Sequence, residues 1–389
     1  MTQAVPSDQG TLLELLEGGD QARRGAHAAV LEAGLPHAKL EAWRSTPLRE
    51  LPKALFSRQM SRFEVEDASA SLQLTRVSST DVADLQRLGS LTTQATFTAL
   101  NAALFDELLH VHVPAGATET LSLSQRAAAG SAGFPRLLVT LESRSSLTLI
   151  EHYSGEPGEA SFAGPVTEIF LAEGARLDHT RLLDAPSHHV AELDVRVARD
   201  ASYTLHLATL GGALSRTDVR VTLAEQGAEC ALFGATHATD TQVADVHVWL
   251  EHAAPHCTSR QRFHSVLDGR ARAVVDGIVA VAPGAQKTEA HQNLATLLLS
   301  EGCRVDAKPH MEIEADDVVC SHGNTVGALD DEALFYLRSR GIGEGAARSI
   351  LTWAFVKRVL DGIPEAARAN IEHAFLARFT DDDLDLTEL

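Results

Sequence analysis

Residues 136–155, RLLVTLESRSSLTLIEHYSG, alternate apolar and polar side chains and are rich in β-branched residues. Successive side chains of an extended strand point to opposite faces, so this alternation predicts strands with one face covered and one exposed. Similar pieces continue to about residue 320. Within them one pattern recurs: an apolar strand end, an acidic or polar pair, a small residue, then another strand. Instances are FLAEGARLDHTRLL, VRVARDASYTLHLA, VTLAEQGAECALFG, VWLEHAAPHCTSRQ, SVLDGRARAVVDG, AVAPGAQKTEAHQ and LLSEGCRVDAKPH. The small residue falls at Ala175, Ala201, Ala228, Ala254, Ala271, Ala285 and Cys303, spaced 26, 27, 26, 17, 14 and 18 residues apart. Strand–turn units in tandem, with no intervening helix to cover them, must bury their faces on one another. That leaves a stacked β-solenoid, a sandwich or a barrel, and the repetition favours the solenoid.

Both flanks read as helical. TLLELLEGG and DQARRGAHAAVLEAG, within residues 11–60, each run from an N-cap candidate, Thr11 or Asp20, to a terminating glycine. LPHAKLEAWRSTPLRELPKALF (35–56) mixes short helical turns with prolines, and TTQATFTALNAALFDE (92–107) reads as a helix. After residue 328 the helical period returns. LDDEALFYLRSRG has Asp330 as N-cap, acids in its first turn, Arg338 and Arg340 in its last, and Gly341 as its stop. In EGAARSILTWAFVKRVLDGIP, the residues Ala347, Ile350, Leu351, Ala354, Phe355 and Val359 share a face, closed by Gly362 and Pro364. A third helix spans about 364–379, with Ile371, Phe375 and Phe379 at a spacing of four. The expected division is an N-terminal helical and mixed region (1–135), a β-region (136–328) and a C-terminal helical domain with an acidic tail (329–389).

Of the 389 residues, 44% are apolar, 22% charged and only 5% aromatic, so the core is built mainly from Leu, Val, Ile and Ala. The net charge of −20 repels phosphate backbones and anionic membranes, which argues against nucleic acid as a partner. The first residues, MTQAVPSDQG, carry no basic and apolar run of a secretion signal, and no apolar stretch approaches the roughly 18 residues of a membrane span. Cysteines at 230, 257, 303 and 320 form neither a disulfide framework nor a CxxC clamp. A cytoplasmic protein with free thiols is expected.

Several motifs carry little. GIGEGA (341–346) fits a dinucleotide-binding string, but a helix precedes it where that fingerprint needs a strand. No GK[ST] occurs, so the chain has no P-loop, and GxSxG and HExxH are absent. His110 and His112 in LLHVHVPAG share a strand face, yet read better as a strand entering a turn than as a metal pair. His252, His256, Cys257 and His264 match no zinc module. Cys230, Cys257 and Cys303 lie at or beside the repeated small positions, where a thiol packs as a small hydrophobe. Cys320 and His322, in DDVVCSHGNTVG, differ: both project to one strand face, and thiolate plus imidazole suits zinc, iron or iron–sulfur species. His310, Glu312 and Glu314 alternate just before them. Two ligands do not complete a tetrahedral site, so others must come from elsewhere in the chain or from another subunit. The competing reading is a cysteine packed at a sheet end with a hydrogen-bonded histidine nearby.

The run QNLATLLLSEGCRVDAKPHMEIEADDVVCSHGNTVGALDDEALFYLRSRGI (292–342) closely resembles the SufD members of the SufB/SufD family. LPHAKLEAWRSTPLREL resembles that family's N-terminal signature, with Ser45 where Tyr is usual. Chain length and the WRST start fit the SufD side better, whereas CSHG occurs on both. The resemblance implies a right-handed parallel β-helix between a helical N-terminal part and a C-terminal helical domain. It implies a non-enzymatic scaffold for iron–sulfur cluster assembly, paired with a SufB-like paralogue and docking a SufC-like ATPase, with no nucleotide on this chain itself. Cys320 and His322 map onto the family's interface Cys and His, and so onto a transient iron or cluster site shared with SufB. The segment with Phe335, Tyr336, Arg338 and Arg340 maps onto the ATPase-docking helices. Where SufB is absent, a homodimer is the alternative assembly. The rival from another class is a β-helix carbohydrate lyase or hydrolase using Glu312, Glu314, Asp316 and Asp317; few aromatics and no secretion signal weigh against it.

Overall fold

The computed structural model describes residues 9–18, 24–49, 51–81, 96–185 and 187–379. The expected N-cap Asp20, residues 92–95 of the expected helix and the acidic tail 380–389 lie outside them. At 48% strand against 19% helix, the chain is mainly β. Strands alternate between two sheets. One holds β1 (Glu107–Val113), β3 (Arg136–Leu141), β5 (Val166–Leu171), β7 (His188–Val197), β9 (Leu214–Leu223), β11 (Val243–His252), β13 (Arg272–Val281) and β15 (Arg304–Ile313). The other holds β2 (Thr118–Ala127), β4 (Ser146–Gly155), β6 (Arg176–Asp184), β8 (Ser202–Thr209), β10 (Glu229–Ala238), β12 (Thr258–Leu267), β14 (Glu289–Leu298) and β16 (Val319–Gly327). Each odd strand with the following even strand makes one coil, and neighbouring coils pair in parallel through about 8 turns of a β-solenoid.

Alternation decides the register. On β7 the inward residues Leu193, Val195 and Val197 stack on Val219, Val221 and Leu223 of β9, facing Leu177, Tyr203 and Leu205 of the opposite sheet in one buried cluster. A slip of one residue would turn every one of them into solvent. Ala175, Ala201, Ala228 and Cys257 each stand one residue before an even strand, 26, 27 and 29 residues apart, and all are fully buried. The residue before each, Gly174, Asp200, Gly227 or His256, has a positive φ of 52–74° that turns the chain at the corner. Ala271 and Cys303 occupy the opposite corner, ahead of β13 and β15. The shorter spacings read from the sequence therefore step between two corners, and the repeat is the coil.

The outer face of the odd sheet is covered over its first coils by the N-terminal region. Helix α1 (Arg24–Ala33) and helix α2 (Thr96–Leu104) belong to it, and Phe97, Leu100 and Leu104 pack with Leu138, Val190, Leu214 and Val243. Trp43 lies 4.0 Å under the Arg216 guanidinium, and Arg216 bonds Asp245 at 2.9 Å. Thr46 bonds the same buried carboxylate. The WRST stretch thus pins the N-terminal segment to the solenoid. Two antiparallel strands, Glu64–Ala68 on β2 and Gln73–Ser78 on β1, close the first coil.

Helices α3 (Asp331–Ser339), α4 (Glu344–Leu360) and α5 (Glu365–Phe379) follow the last strand. Asp330 caps α3 as expected, its Oδ1 accepting from the Glu332 and Ala333 amides at 2.9 and 3.3 Å, and Gly341 ends the segment at φ 87°. Helices α4 and α5 lie on the outer face of the even sheet, with Trp353, Val356, Leu360, Ile371 and Phe375 against Leu182, Ala208, Ala235, Val266 and Leu297. The buried stripe of α4 is Ala347, Thr352, Trp353, Val356, Val359 and Leu360, whereas Ala354 is exposed and Ile350, Leu351 and Phe355 flank it. Periodicity marks an apolar side without saying which part of it meets the sheet; the wide indole of Trp353 takes the centre. Among the described residues, no helix is long and apolar enough to cross a membrane.

Candidate functional site

Cys320 and His322 sit on β16, the last strand of the even sheet. In register, Cys320 opposes Ala290 and His322 opposes Gln292, both buried residues of β14. Ser321 between them bonds His291, its Oγ 2.7 Å from Nδ1, on the outward side. Parity therefore places Cys320 and His322 on the inward side of their sheet, at the rim of the lumen. Cys320 is half-buried against Val279, Val281, Ala285, Ala290, Met311 and Ala315. Burial in this apolar patch pushes its thiol up, only partly offset by a backbone hydrogen bond at Ala290, so the free chain favours the thiol over the thiolate. His322 is exposed because no coil follows it.

No protein strand among the described residues pairs with the outer edge of β15 or of β16. Their main-chain donors and acceptors form two open edges around the lumen's end, beside exposed apolar side chains at Ile313 (42%), Val319 (64%) and Val326 (48%). Met311 turns inward with Val279, so His310 and Glu312 point outward from the odd sheet, where they pair at 3.4 Å. Glu314 follows the end of β15 and is exposed, and Asp317 pairs with Lys287. Glu312 and Asp317 are therefore engaged with partners other than the Cys–His pair. Among the described residues, no group of three or more His, Cys, Asp and Glu side chains is arranged to hold a metal ion. The donors here are one thiol and one imidazole, which suit iron in type but supply half of a tetrahedral set.

Phe335 (73% exposed) and Tyr336 (56%) project from α3, which buries no side chain. Arg340 lies 5.1 Å over the Tyr336 ring, and Arg338 pairs with Glu344 at 3.4 Å. The other cysteines are packed: Cys230 is buried, and the Cys257 thiol donates to the Glu225 carbonyl at 3.3 Å while Cys303 reaches the Gly269 carbonyl at 3.8 Å. His110 and His112 flank the Thr140 hydroxyl at 3.0 and 3.1 Å on β1, the strand that enters the turn at Pro114. His252 is bonded to Ser259 at 2.8 Å and His264 to the Phe355 carbonyl at 2.8 Å, on opposite sides of the solenoid wall.

Pattern reading passed over a buried polar network in the lumen. Glu151 bonds His179 at 2.9 Å, pairs with Arg181 at 3.2 Å and accepts from Tyr153, while Tyr203 reaches His179 at 3.1 Å. Burial by itself would raise the Glu151 carboxyl, but Arg181 and His179 hold it at about 2. A signal was present: Glu151 and Tyr153 fall in phase with Leu147 and Leu149, as His179 and Arg181 do with Leu177 and Leu183.

A family model described as "SUF system FeS cluster assembly, SufBD core domain" matches residues 123–355. The chain is 30% identical over 366 residues to the iron–sulfur cluster assembly protein SufD of Escherichia coli strain K12, covering 86% of each protein. It is 34% identical over 243 residues to an iron–sulfur cluster assembly SufBD family protein of Synechocystis, over 60% of this chain and 54% of that one. To such a protein of Mycobacterium tuberculosis it is 28% identical over 365 residues, covering 87% and 89%.

Proposed function

We propose, on the premise that this chain belongs to the SufBD family of the SUF iron–sulfur cluster assembly system, that it is a scaffold subunit without catalytic chemistry of its own, acting in the cytoplasm beside a SufB-like paralogue. The observation that carries this reading is the uncovered last coil, which presents Cys320 and His322 between two open strand edges. A second solenoid added edge to edge would continue both sheets, satisfy their free main-chain groups and cover the exposed valines. The same contact would bring the partner's donors to the two ligands held here. Iron or a nascent cluster is then cargo shared by two chains and released from them, and Cys320 would hold it as the thiolate. The exposed aromatic face of α3 supports docking of a SufC-like ATPase through Phe335, Tyr336, Arg338 and Arg340. With no P-loop here, nucleotide belongs to that partner.

Co-expression with SufB and SufC tests both contacts. Cys320→Ala and His322→Ala lower the iron and sulfide carried by the purified complex several-fold while its composition holds. Phe335→Ala combined with Tyr336→Ala removes SufC and keeps SufB. Undiminished iron and sulfide in both ligand variants rules out the shared site, and retained SufC rules out docking on α3.

A further inference from the structure

The column of inward residues that ends at His322 runs back through Gln292, Gln261 and Leu232 on successive coils. Both glutamines are buried, and Gln292 Nε2 donates to Gln261 Oε1 over 3.1 Å. A carboxamide ladder has a direction: each amide donates to one neighbour along the stack and offers its oxygen to the neighbour on the other side. The two ladder ends are left over, and both are buried without a partner: Gln261 Nε2 on the Leu232 side, Gln292 Oε1 on the side of the last coil. Leucine has nothing to give the inner end. At the outer end the register partner is His322. Across the lumen, a Cβ at Gly277 would stand 2.2 Å from Gln292 Nε2, so the missing side chain there leaves the space the amide fills.

We propose that Gln292 is a positioning residue for His322: its Oε1 accepts one imidazole N–H and holds the ring in a single neutral tautomer, leaving the lone pair of the other nitrogen free. The unpaired buried oxygen is what favours this, since an orphaned buried acceptor is destabilising and the side chain that follows it in its column is a donor. Histidines that bind metals commonly donate their second N–H to such an acceptor. As a step in iron binding, the role rests on the reading of His322 as a ligand. The Gln261–Gln292 pair would carry the rigidity of the buried coils to a side chain at the exposed rim.

The experiment takes the intact metal-free chain labelled with 15N-histidine, with His322 identified by the signals missing in His322→Gln. Two-bond 1H–15N correlations at mildly alkaline pH report one tautomer of His322 in the wild type. In Gln292→Met, of the same length but without an acceptor, they report the tautomer mixture of a free imidazole. Gln292→Glu keeps an oxygen in place and restores a single tautomer, and it serves as the acceptor-retaining control if the methionine variant is poorly folded. A tautomer ratio unchanged between wild type and Gln292→Met overturns the proposal, as does a mixture in the wild type. Because the readout contains no iron, it separates from the ligand test: a single, Gln292-dependent tautomer with full iron and sulfide in His322→Ala would sink the ligand role and leave the contact standing.

Discussion

Glu151 shows how much of a solenoid's stability can rest on one carboxylate. It lies fully buried between the Arg181 guanidinium, His179 and the Tyr153 hydroxyl, and each of those groups depends on it for its own desolvated charge or hydrogen. Glu151→Ala leaves a buried guanidinium without its carboxylate, so the free energy of unfolding falls by about 3–5 kcal/mol. Adding Arg181→Met to Glu151→Leu recovers most of that loss, because an apolar pair of similar volume needs no partner. Urea midpoints of the two variants check this; a Glu151→Ala loss no larger than that of an exposed substitution would refute it. At the same scale, the spacing of Cys320 and His322 placed them on one strand face, and the register agrees. Their position at the end of the sheet was legible too, because the return of the helical period after residue 328 ends the β-region just beyond them. The Gln261–Gln292 ladder was hidden, because its members are 31 residues apart and meet only through the register.

The helices that cover the even sheet rest on histidines with no acidic partner in contact. His264 donates from Nδ1 to the Phe355 carbonyl of α4 and stacks on the Phe355 ring at 4.6 Å, with Arg262 and Arg358 nearby. His237 meets the Phe379 ring of α5 edge-on at 4.7 Å, between Arg378 and the more distant Asp268. His206 stacks on Phe233 at 5.2 Å, beside the α4–α5 turn at Gly362. Burial is the main cause that lowers His206 and His237 to about 4. An unfolded histidine titrates near 6.5, so between these values the unfolded chain binds more protons than the folded one. The histidines' own contribution is therefore nil above about pH 6.5 and lowers stability as pH falls toward 4, by up to about 3 kcal/mol per histidine. Glu151, held at about 2 against an unfolded value of 4.5, loses its contribution as pH falls between those two values, mostly below the window of the histidines. The expected result is a urea midpoint, followed by tryptophan fluorescence, that drops from about pH 7 to about pH 5 and drops less in His206→Gln/His237→Gln. Equal drops would count against the histidines. Element by element, α3 was legible down to its cap because Asp330 and Gly341 are local signals. The first coil was legible only in part: LLHVHVPAG marks β1 as a strand entering a turn, whereas β2 drew no such reading, and the two take their place by pairing with β3 and β4.

At the scale of the whole molecule, the two ends of the solenoid are built differently. The first coil is finished by antiparallel strands whose edges carry Glu64, Glu66, Asp67 and Arg76, with a register irregularity between Val65 and Asp67, while Phe63, Leu72 and Leu74 fill the lumen behind them. Charges and a bulge on a short edge strand are devices that prevent sheet-to-sheet association. On the last coil β16 has neither and runs regularly to its end with Val319 and Val326 exposed, whereas its neighbour β15 carries Arg304, Lys308, Pro309 and Glu312. One protected end and one open end allow association through a single face, which closes as a pair and cannot propagate into a fibre. The pairing with a paralogue proposed above would use such an end, although the alternating pattern of the coils alone predicted only that the solenoid must stop somewhere. Lysine at Val319 and Val326 puts two cations on that open edge. Both side chains are already in solvent, so Val319→Lys/Val326→Lys leaves the melting temperature of the free chain within a few degrees of wild type. The same variant, mixed with the SufB-like paralogue, should weaken the pair at least tenfold, about 1.4 kcal/mol, because the cations would be buried against the added strands. Thermal melts of the free chain read the first half, and light scattering across a dilution series reads the second: wild type forms a pair and nothing larger, the variant dissociates at concentrations where wild type stays paired, and undiminished pairing by the variant would move the interface away from this end of the solenoid.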